Sequence, residues 1–568
     1  MARIKRLSFE ISQKIAAGEV IERPFSVVKE LVENSLDAGA SEVRVEILAG
    51  GKRLIRVQDD GVGMSREDAE LCFERHATSK LTSEEDLEKI STLGFRGEAL
   101  ASISAVSELV LKTSDGQGEQ GTRVERKAGE VVAVTDVAFP RGTTIEVKDL
   151  FYNLPARRKF LRSEQSELGH IVRYLTGVAL AYPEVRFSLV QARREIMDCP
   201  RVGSHRERLF QLYGKNILDR LLEVDFREGG GQVFGYSSRP PGGRPDRAHQ
   251  LFFVNRRLVK DRVLQAALNQ AYRGFLEKDR FPEAFLFLTL PYDEVDVNVH
   301  PTKAEVRFRE SQLVFHILLR SIETTLLKER GVKEIYPRAE GAVRAVSVAE
   351  TTARSLIRTA RPEGPEQMTL PRPIPAGEEK SRPRVLGQYL DMYIVAAGEE
   401  GLMVIDQHNA HERVLFERYK EVDVRQEWPR KRPLVPVLFE LTPAQVVSLE
   451  NNQRLLEEAG FQADCMGGQT YSLSGFPDIL EAEEARDVLL QLLDEIGEEQ
   501  TDRRREKMLA TLACKTAVKA HEPLAMDKMD YLLEELFRTS NPALCPHGRP
   551  IIVRIDKAEI EKGLKRHP

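Results

Sequence analysis

A chain of 568 residues is too long for one hydrophobic core and is expected to form about two to four domains. Its 84 Lys and Arg against 89 Asp and Glu give a formal net charge of -5, which excludes a uniformly basic coat and confines any nucleic-acid surface to a local patch. The five scattered cysteines, Cys72, Cys199, Cys465, Cys514 and Cys545, argue against a disulfide framework, and neither MARIKRLSFEIS nor any later run suits a signal peptide or membrane span, so an intracellular protein with no membrane contact is expected.

The first element is a helix over Val27 to Ala40, VVKELVENSLDAGA. Val27, Val28, Leu31, Val32, Ser35 and Leu36 fall on one half of a helical wheel, and Lys29, Glu30, Glu33, Asn34 and Asp37 on the other. Pro24 suits its first turn and Gly39 its C-terminal cap. Glu30 and Asn34, four apart, share one polar stripe; there a carboxylate polarises water and an amide oxygen suits Mg²⁺. The competing reading is an ordinary amphipathic helix with a solvated acidic face.

Val43, Val45 and Ile47, then Leu54, Ile55 and Val57, predict a hairpin beside that helix. Its second strand runs into DDGVG, setting Asp59 at a strand end before the permissive Gly61 and Gly63. HATSK (76–80) and GFRGEALASISAV (94–106) follow, the latter a glycine-bracketed loop whose helix start offers N–H groups to phosphate. PRGTTIEV (140–147) reads as turn and strand, and DLFYNLPARRKFL comes next. Each loop alone is as readily an ordinary turn.

In this order, VKELVENSLDAGA, DDGVGM, GFRGEAL, GTTIEV and LFYNLPARRKFL resemble the N-terminal ATPase of MutL mismatch-repair proteins, within the gyrase, Hsp90, histidine-kinase and MutL superfamily. The resemblance covers roughly the first 330 residues. It implies ATP and Mg²⁺ as cofactors, Glu30 as general base, Asn34 as Mg²⁺ ligand and Asp59 as acceptor from the adenine amino group. Gly63 falls in the same wall with Thr143 nearby, and Arg96, Gly97 and Leu100 in the segment over the phosphates.

From about residue 215 the pattern changes to strands and helices, with Phe252, Val254 and then Val259 to Ala271 reading as strand, loop and helix of a β-α-β unit. NVHPTKAEVRF resembles the second MutL domain, which makes Lys303 the lysine that reaches the γ-phosphate; the bland alternative is a solvated loop lysine. Arg256, Arg257, Lys260 and Arg262 cluster at one strand-to-helix loop, and Arg157, Arg158, Lys159 and Arg162 at another. Both read as sequence-independent DNA phosphate contacts, with solvated surface as the rival. Residues 334–383, rich in Pro, Arg, Glu and Ala, read as a disordered linker. Within it Gln367, Met368 and Leu370 faintly resemble peptides that dock on the replicative sliding clamp.

Beyond the linker, a hairpin strand from Leu402 to Ile405 delivers Asp406 to a helix start, with His408 and Glu412 four apart on one helix face. Cys545 and His547, two apart in LCPHGRP, point the same way in extended chain and suit Zn²⁺ or Mn²⁺. A capping box, and a buried Cys with a satisfied His, are the plainer readings. DQHNAHERVLFE, ACK (513–515) and CPHGRP resemble the three motifs of endonuclease-bearing MutL proteins. The resemblance implies Asp406, His408, Glu412, Cys545 and His547 as metal ligands, Asp406 and Glu412 as catalytic, and Cys514 and Glu417 as their neighbours. Asn409 stands where that family usually has Ala, and by angle it points away from the His408 and Glu412 face. KRPLVP (431–436) occupies the family's clamp-binding place without its Gln.

The expected fold class is therefore α+β. It comprises an N-terminal helix-on-antiparallel-sheet ATPase sandwich (1–214), a β-α-β transducer domain (215–333), a flexible linker (334–383) and an α/β C-terminal dimerisation and endonuclease domain (384–568). By resemblance the protein is a cytoplasmic, nucleoid-associated homodimer that slowly hydrolyses ATP and nicks DNA with Mn²⁺ or Zn²⁺. Its expected partners are a MutS-type mismatch sensor, double-stranded DNA and a sliding clamp. An ATP-driven scaffold without nuclease, and a topoisomerase subunit or chaperone of the same superfamily, are the rivals.

Overall fold

A computed structural model describes residues 21–564 apart from 81–91, 95–96, 119, 229, 245, 277–279, 298–305, 330–382, 426–427, 497–500 and 519–520. Two compact units emerge. One comprises Met1–Gly331 with Leu415–Thr516, the other Val332–Val414 with Ala517–Pro568. Arg96, Lys303 and the linker residues Gln367, Met368 and Leu370 lie outside the described residues.

In the first unit, helix α1 (Pro24–Asp37) opens on Pro24 after an extended Arg23. The chain turns away at Gly39, whose φ of 69° is a left-handed conformation that glycine adopts without steric cost. Val27, Val28, Leu31 and Val32 are at most 2% exposed, and each such burial contributes roughly 1.5–3 kcal/mol. They pack on an eight-stranded sheet. Its strands are β1 (Glu42–Leu48), β2 (Leu54–Asp59), β3 (Glu108–Ser114), β4 (Gly121–Lys127), β5 (Glu130–Val137), β6 (Gly142–Lys148), β7 (Arg186–Gln191) and β8 (Arg194–Cys199), in the order β5-β4-β3-β6-β2-β1-β7-β8. All neighbours are antiparallel except β1 and β7. Val43, Val45 and Ile47 alternate with polar residues along β1, so one face is buried and the other carries charge. Helices α2 (Ala99–Ala105) and α3 (Glu164–Ala181) add to the helical layer.

A second sheet of the same unit has the order β12-β11-β13-β10-β9, built from β9 (Leu221–Glu228), β10 (Gly231–Ser238), β11 (Gln250–Val254), β12 (Arg257–Val259) and β13 (Ala284–Thr289). Strands β11 and β13 are parallel, with α4 (Arg262–Ala271) between them, which is the expected β-α-β unit. Asp261 caps α4 by accepting from the Leu264 N–H. Leu264 and Leu268 of α4 share one apolar cluster with Leu318 and Ile322 of α5 (Ser311–Glu329).

The second unit is a sheet of β14 (Arg384–Tyr389), β15 (Tyr393–Gly398), β16 (Gly401–Asp406) and β17 (Ile552–Asp556) in that order. Strand β16 leads without a break into α6 (Gln407–Arg425). Ile394, Ile405, Ala410 and Val414 form one core with Leu533 and Leu536 of α7 (Met526–Arg538). Among the described residues no helix is long and apolar enough to cross a membrane.

Candidate functional site

The polar stripe of α1 is not a solvated acidic face. Lys29 and Glu33 are 8% and 4% exposed, with their charged atoms 3.6 Å apart. Tyr174 of α3 donates its hydroxyl to the Lys29 carbonyl at 3.3 Å. Glu30, on the neighbouring face, remains partly exposed. Asn34 Oδ1 accepts from Lys80 Nζ at 2.8 Å, and the same ammonium donates to Asp37 Oδ2 at 2.6 Å. Asp37 also accepts from the Leu93 N–H at 2.8 Å and the Gly94 N–H at 2.9 Å. The helix face thus holds both Lys80 of HATSK and the start of GFRGEAL.

At the end of β2, Ser35 Oγ donates to Asp59 Oδ2 at 2.7 Å and the Gly61 N–H to Oδ1 at 3.0 Å. Burial nevertheless holds the Asp59 carboxyl above its ordinary pKa, outweighing those hydrogen bonds. An acceptor with four lone-pair sites keeps capacity for a planar amino donor after these two bonds. Thr143 stands opposite Asp59 in the β2–β6 register, with its Oγ1 3.0 Å from Thr113 Oγ1. Gly63 has φ 69°, and a Cβ there would stand 1.9 Å from the Ser114 carbonyl oxygen, so the chain closes around this wall only with glycine. Gly97 accepts from the His76 N–H at 3.2 Å, linking HATSK to GFRGEAL. Leu100 lies half-buried on α2.

A second constellation lies in the other unit. Ligand atoms of Glu412, Cys545 and His547 all fall within 4.8 Å of one another. Glu412 and Cys545 are 2% and 1% exposed. His547 Nδ1 lies 2.5 Å from Glu412 Oε1, yet that buried oxygen has no aligned hydrogen bond. Close contact with Cys545 and Glu412 raises the His547 pKa to about 9, while His547 holds Glu412 below its ordinary value despite burial. A carboxylate, a thiol and an imidazole converging on one point suit a divalent cation, and the unaligned Glu412 oxygen fits such an ion.

The expected extended Cys545–His547 pair is corrected to a tight turn. The Gly548 N–H bonds to the Cys545 carbonyl and the Cys545 N–H to the Arg549 carbonyl, both at 2.9 Å. Two α6 side chains, neither assigned from sequence, hold the turn at its ends: Arg413 Nε donates to the Leu544 carbonyl at 2.7 Å, and Asn409 Nδ2 to the Pro550 carbonyl at 3.4 Å. Asp406 Oδ1 accepts from the Asn409 N–H at 2.9 Å, so in this structure it caps α6. His408 donates from Nδ1 to the Val518 carbonyl at 2.8 Å, which leaves Nε2 as the ring nitrogen available to a ligand bond. Asp406 and His408 are not members of the three-residue cluster. Glu417 lies on the part of α6 assigned to the first unit, and Cys514 is half-buried on the helix Thr501–Thr516 there.

Comparison with known proteins adds three family models. The histidine kinase-, DNA gyrase B- and HSP90-like ATPase matches residues 21–137, the C-terminal domain of DNA mismatch repair protein matches 209–327, and the MutL C-terminal dimerisation domain matches 386–524. DNA mismatch repair protein MutL of Koribacter versatilis is 38% identical over 646 residues, covering 100% of both chains. The same protein of Symbiobacterium thermophilum is 38% identical over 635 residues, again covering 100% of both. The chain belongs to the MutL family of DNA mismatch repair proteins.

As a MutL protein it carries an ATPase domain and a dimerisation domain. Among solved structures, the Aquifex aeolicus MutL ATPase domain complexed with ADP is 32% identical, covering 53% of this chain and 98% of that one, at a TM-score of 0.37. One basic residue expected on a MutL DNA surface turns inward. Arg257 is 7% exposed and donates to the carbonyls of Thr92 at 2.9 Å and Leu93 at 3.1 Å. Its neighbour Arg256 lies over the Tyr182 ring at 4.1 Å and pairs with Glu184. Lys260 and Arg262 are exposed. Of KRPLVP, Leu434 and Val435 face solvent while Lys431 bonds Glu481 at 3.0 Å.

Proposed function

We propose that this chain is an ATP-dependent matchmaker of mismatch repair that also nicks DNA, with the convergence of Glu412, Cys545 and His547 as the observation that carries the nuclease. In the ATPase, Asp59 accepts the adenine amino group within the wall formed by Gly63 and Thr143. Asn34 supplies the amide oxygen for Mg²⁺; the ammonium already seated on that oxygen supports its affinity for a cation. Glu30, one helical turn before Asn34, takes the proton of the attacking water. Gly97 and Leu100, with Arg96, belong to the phosphate segment, and Lys303 reaches the γ-phosphate.

Glu412, Cys545 and His547 would hold Mn²⁺ or Zn²⁺, with Asp406 and His408 joining from the start of α6. A cation there supplies Lewis acidity and a water of lowered pKa. The dimerisation domain supports a homodimer. Lys260 and Arg262 contact DNA phosphate without reading sequence. A MutS-type sensor and a sliding clamp are the further partners, the clamp engaged through the linker peptide or Leu434 and Val435.

The test is nicking of supercoiled plasmid with Mn²⁺ and ATP by the intact chain, Asp406→Asn, Cys545→Ser and Glu30→Ala. Loss in the first two variants supports the nuclease, and Glu30→Ala should bind ATP without turnover. A plasmid left closed by the intact chain, even with a clamp present, favours the scaffold.

A further inference from the structure

Lys80 lies in the ATP site with no role assigned above, and its head group sits on the oxygen given to magnesium. Its Nζ is 2.8 Å from Asn34 Oδ1 and 2.6 Å from Asp37 Oδ2. The Lys80 and Asp37 side chains are only 19% and 8% exposed, so this ammonium is held in a semi-enclosed niche and not on open surface. The niche depends on Gly94: a Cβ there would stand 2.9 Å from Lys80 Nζ, 3.4 Å from Asn34 Oδ1 and 3.5 Å from Asp37 Oδ2.

We propose that Lys80 is a resident placeholder cation, which occupies Asn34 Oδ1 before nucleotide binds and yields it to Mg²⁺, thereby setting how much magnesium the site requires. The inference rests on the reading of Asn34 as the Mg²⁺ ligand. An ammonium within hydrogen-bond reach of this oxygen and a divalent cation coordinated to it would lie a few ångströms apart, where like charges repel strongly in a partly buried site. Occupancy by one therefore excludes the other, and the apparent affinity for Mg²⁺ is lowered by the fraction of molecules in which Lys80 is seated.

Asp37 makes the exchange cheap. When Lys80 leaves, the carboxylate keeps its bonds from the Leu93 and Gly94 N–H groups, and the divalent cation that replaces the ammonium supplies the counter-charge. The loop carrying Gly94 also stays tied through Arg257 to the Thr92 and Leu93 carbonyls. Lys80 can thus leave without releasing the Leu93 and Gly94 amides from Asp37. Before Mg²⁺ arrives it neutralises Asp37 and satisfies Asn34, which suits a site that has to be kept filled and then emptied. Lys80 is a positioning residue in this account, acting through Asn34 and not on the reacting atoms.

The experiment is a Mg²⁺ titration of the full chain with a fluorescent, non-hydrolysable ATP analogue in excess, starting from a chelator. It reads the half-saturating Mg²⁺ concentration and not turnover. Lys80→Met, which keeps the stem and removes the charge, should lower that concentration about fivefold or more. Lys80→Arg should stay near the wild-type value. Gly94→Ala, which pushes the ammonium from its niche, should shift it in the same direction as Lys80→Met and serves if that variant does not fold. Unchanged or raised half-saturation in Lys80→Met and Gly94→Ala overturns the proposal. Asn34→Ala separates the two readings. If it keeps the wild-type Mg²⁺ response, the assignment of Asn34 fails; if it loses that response while Lys80→Met and Gly94→Ala titrate as wild type, only the placeholder fails.

Discussion

Replacing Arg257 with alanine tests whether the transducer-type sheet holds the phosphate segment in place. Arg257 opens β12, and its guanidinium donates to the Thr92 and Leu93 carbonyls at 2.9 and 3.1 Å. Hydrogen bonds from a charged donor each contribute roughly 1.5–3 kcal/mol. Nη1 of the same guanidinium is buried without a partner, a cost of about 1–3 kcal/mol that the substitution relieves. The net loss should be about 2–4 kcal/mol, most of it local, because Asp37 still holds the Leu93 and Gly94 amides. Hydrogen exchange at those two amides should then accelerate by about 30- to 1000-fold, while core amides of β1 and β2 change little. Arg257→Lys, with one compact head group for two carbonyls, should fall between. Exchange at Leu93 and Gly94 within about threefold of wild type would refute the link.

Gly63→Ala should abolish nucleotide binding in a fluorescence titration, since the new methyl would meet the Ser114 carbonyl at 1.9 Å in a left-handed conformation; binding within about twofold of wild type would show that the wall can shift. Because burial raises the Asp59 pKa above its ordinary 3.8 and the adenine amino group needs the ionised form, ATP affinity should weaken on acidification at higher pH than an ordinary Asp dictates. An affinity flat between about pH 4 and 6 in otherwise folded protein would remove Asp59 as the acceptor. Charge reversal of exposed Lys260 and Arg262 together should lower DNA affinity and reduce its salt slope by about two, measured by titration at several salt concentrations. An unchanged slope would place the DNA elsewhere.

The periodicity of α1 was enough to place Glu30, Asn34 and Asp37 on one side, and the strand alternation placed Asp59 at a strand end. What covers a polar face does not show in its period: Lys29 and Glu33 look like solvated charges in sequence and are buried against α3. Arg257 illustrates the same blindness in a loop. Within a run of basic residues nothing marks the one whose partners are two carbonyls more than 160 positions away, Leu93 at a separation of 164. At the second constellation the family resemblance, not spacing, points to Glu412, Cys545 and His547 together with Asp406 and His408, of which the structure groups only the first three, and period-two reasoning misjudges the backbone between Cys545 and His547. Asn409 had looked like a neutral departure from the family pattern; its amide reaches a turn about 140 residues on, at a separation of 141, which only the packing of α6 reveals.

That turn has a consequence for how such a centre changes over time. Arg413 and Asn409 hold it by the carbonyls of Leu544 and Pro550, which every residue type offers, and neither clamp uses Cys545 or His547. The frame and the ligands are therefore separately heritable. On the proposed reading of Glu412, Cys545 and His547 as ligands, an exchange such as His547→Cys would alter which ion is preferred without touching either clamp.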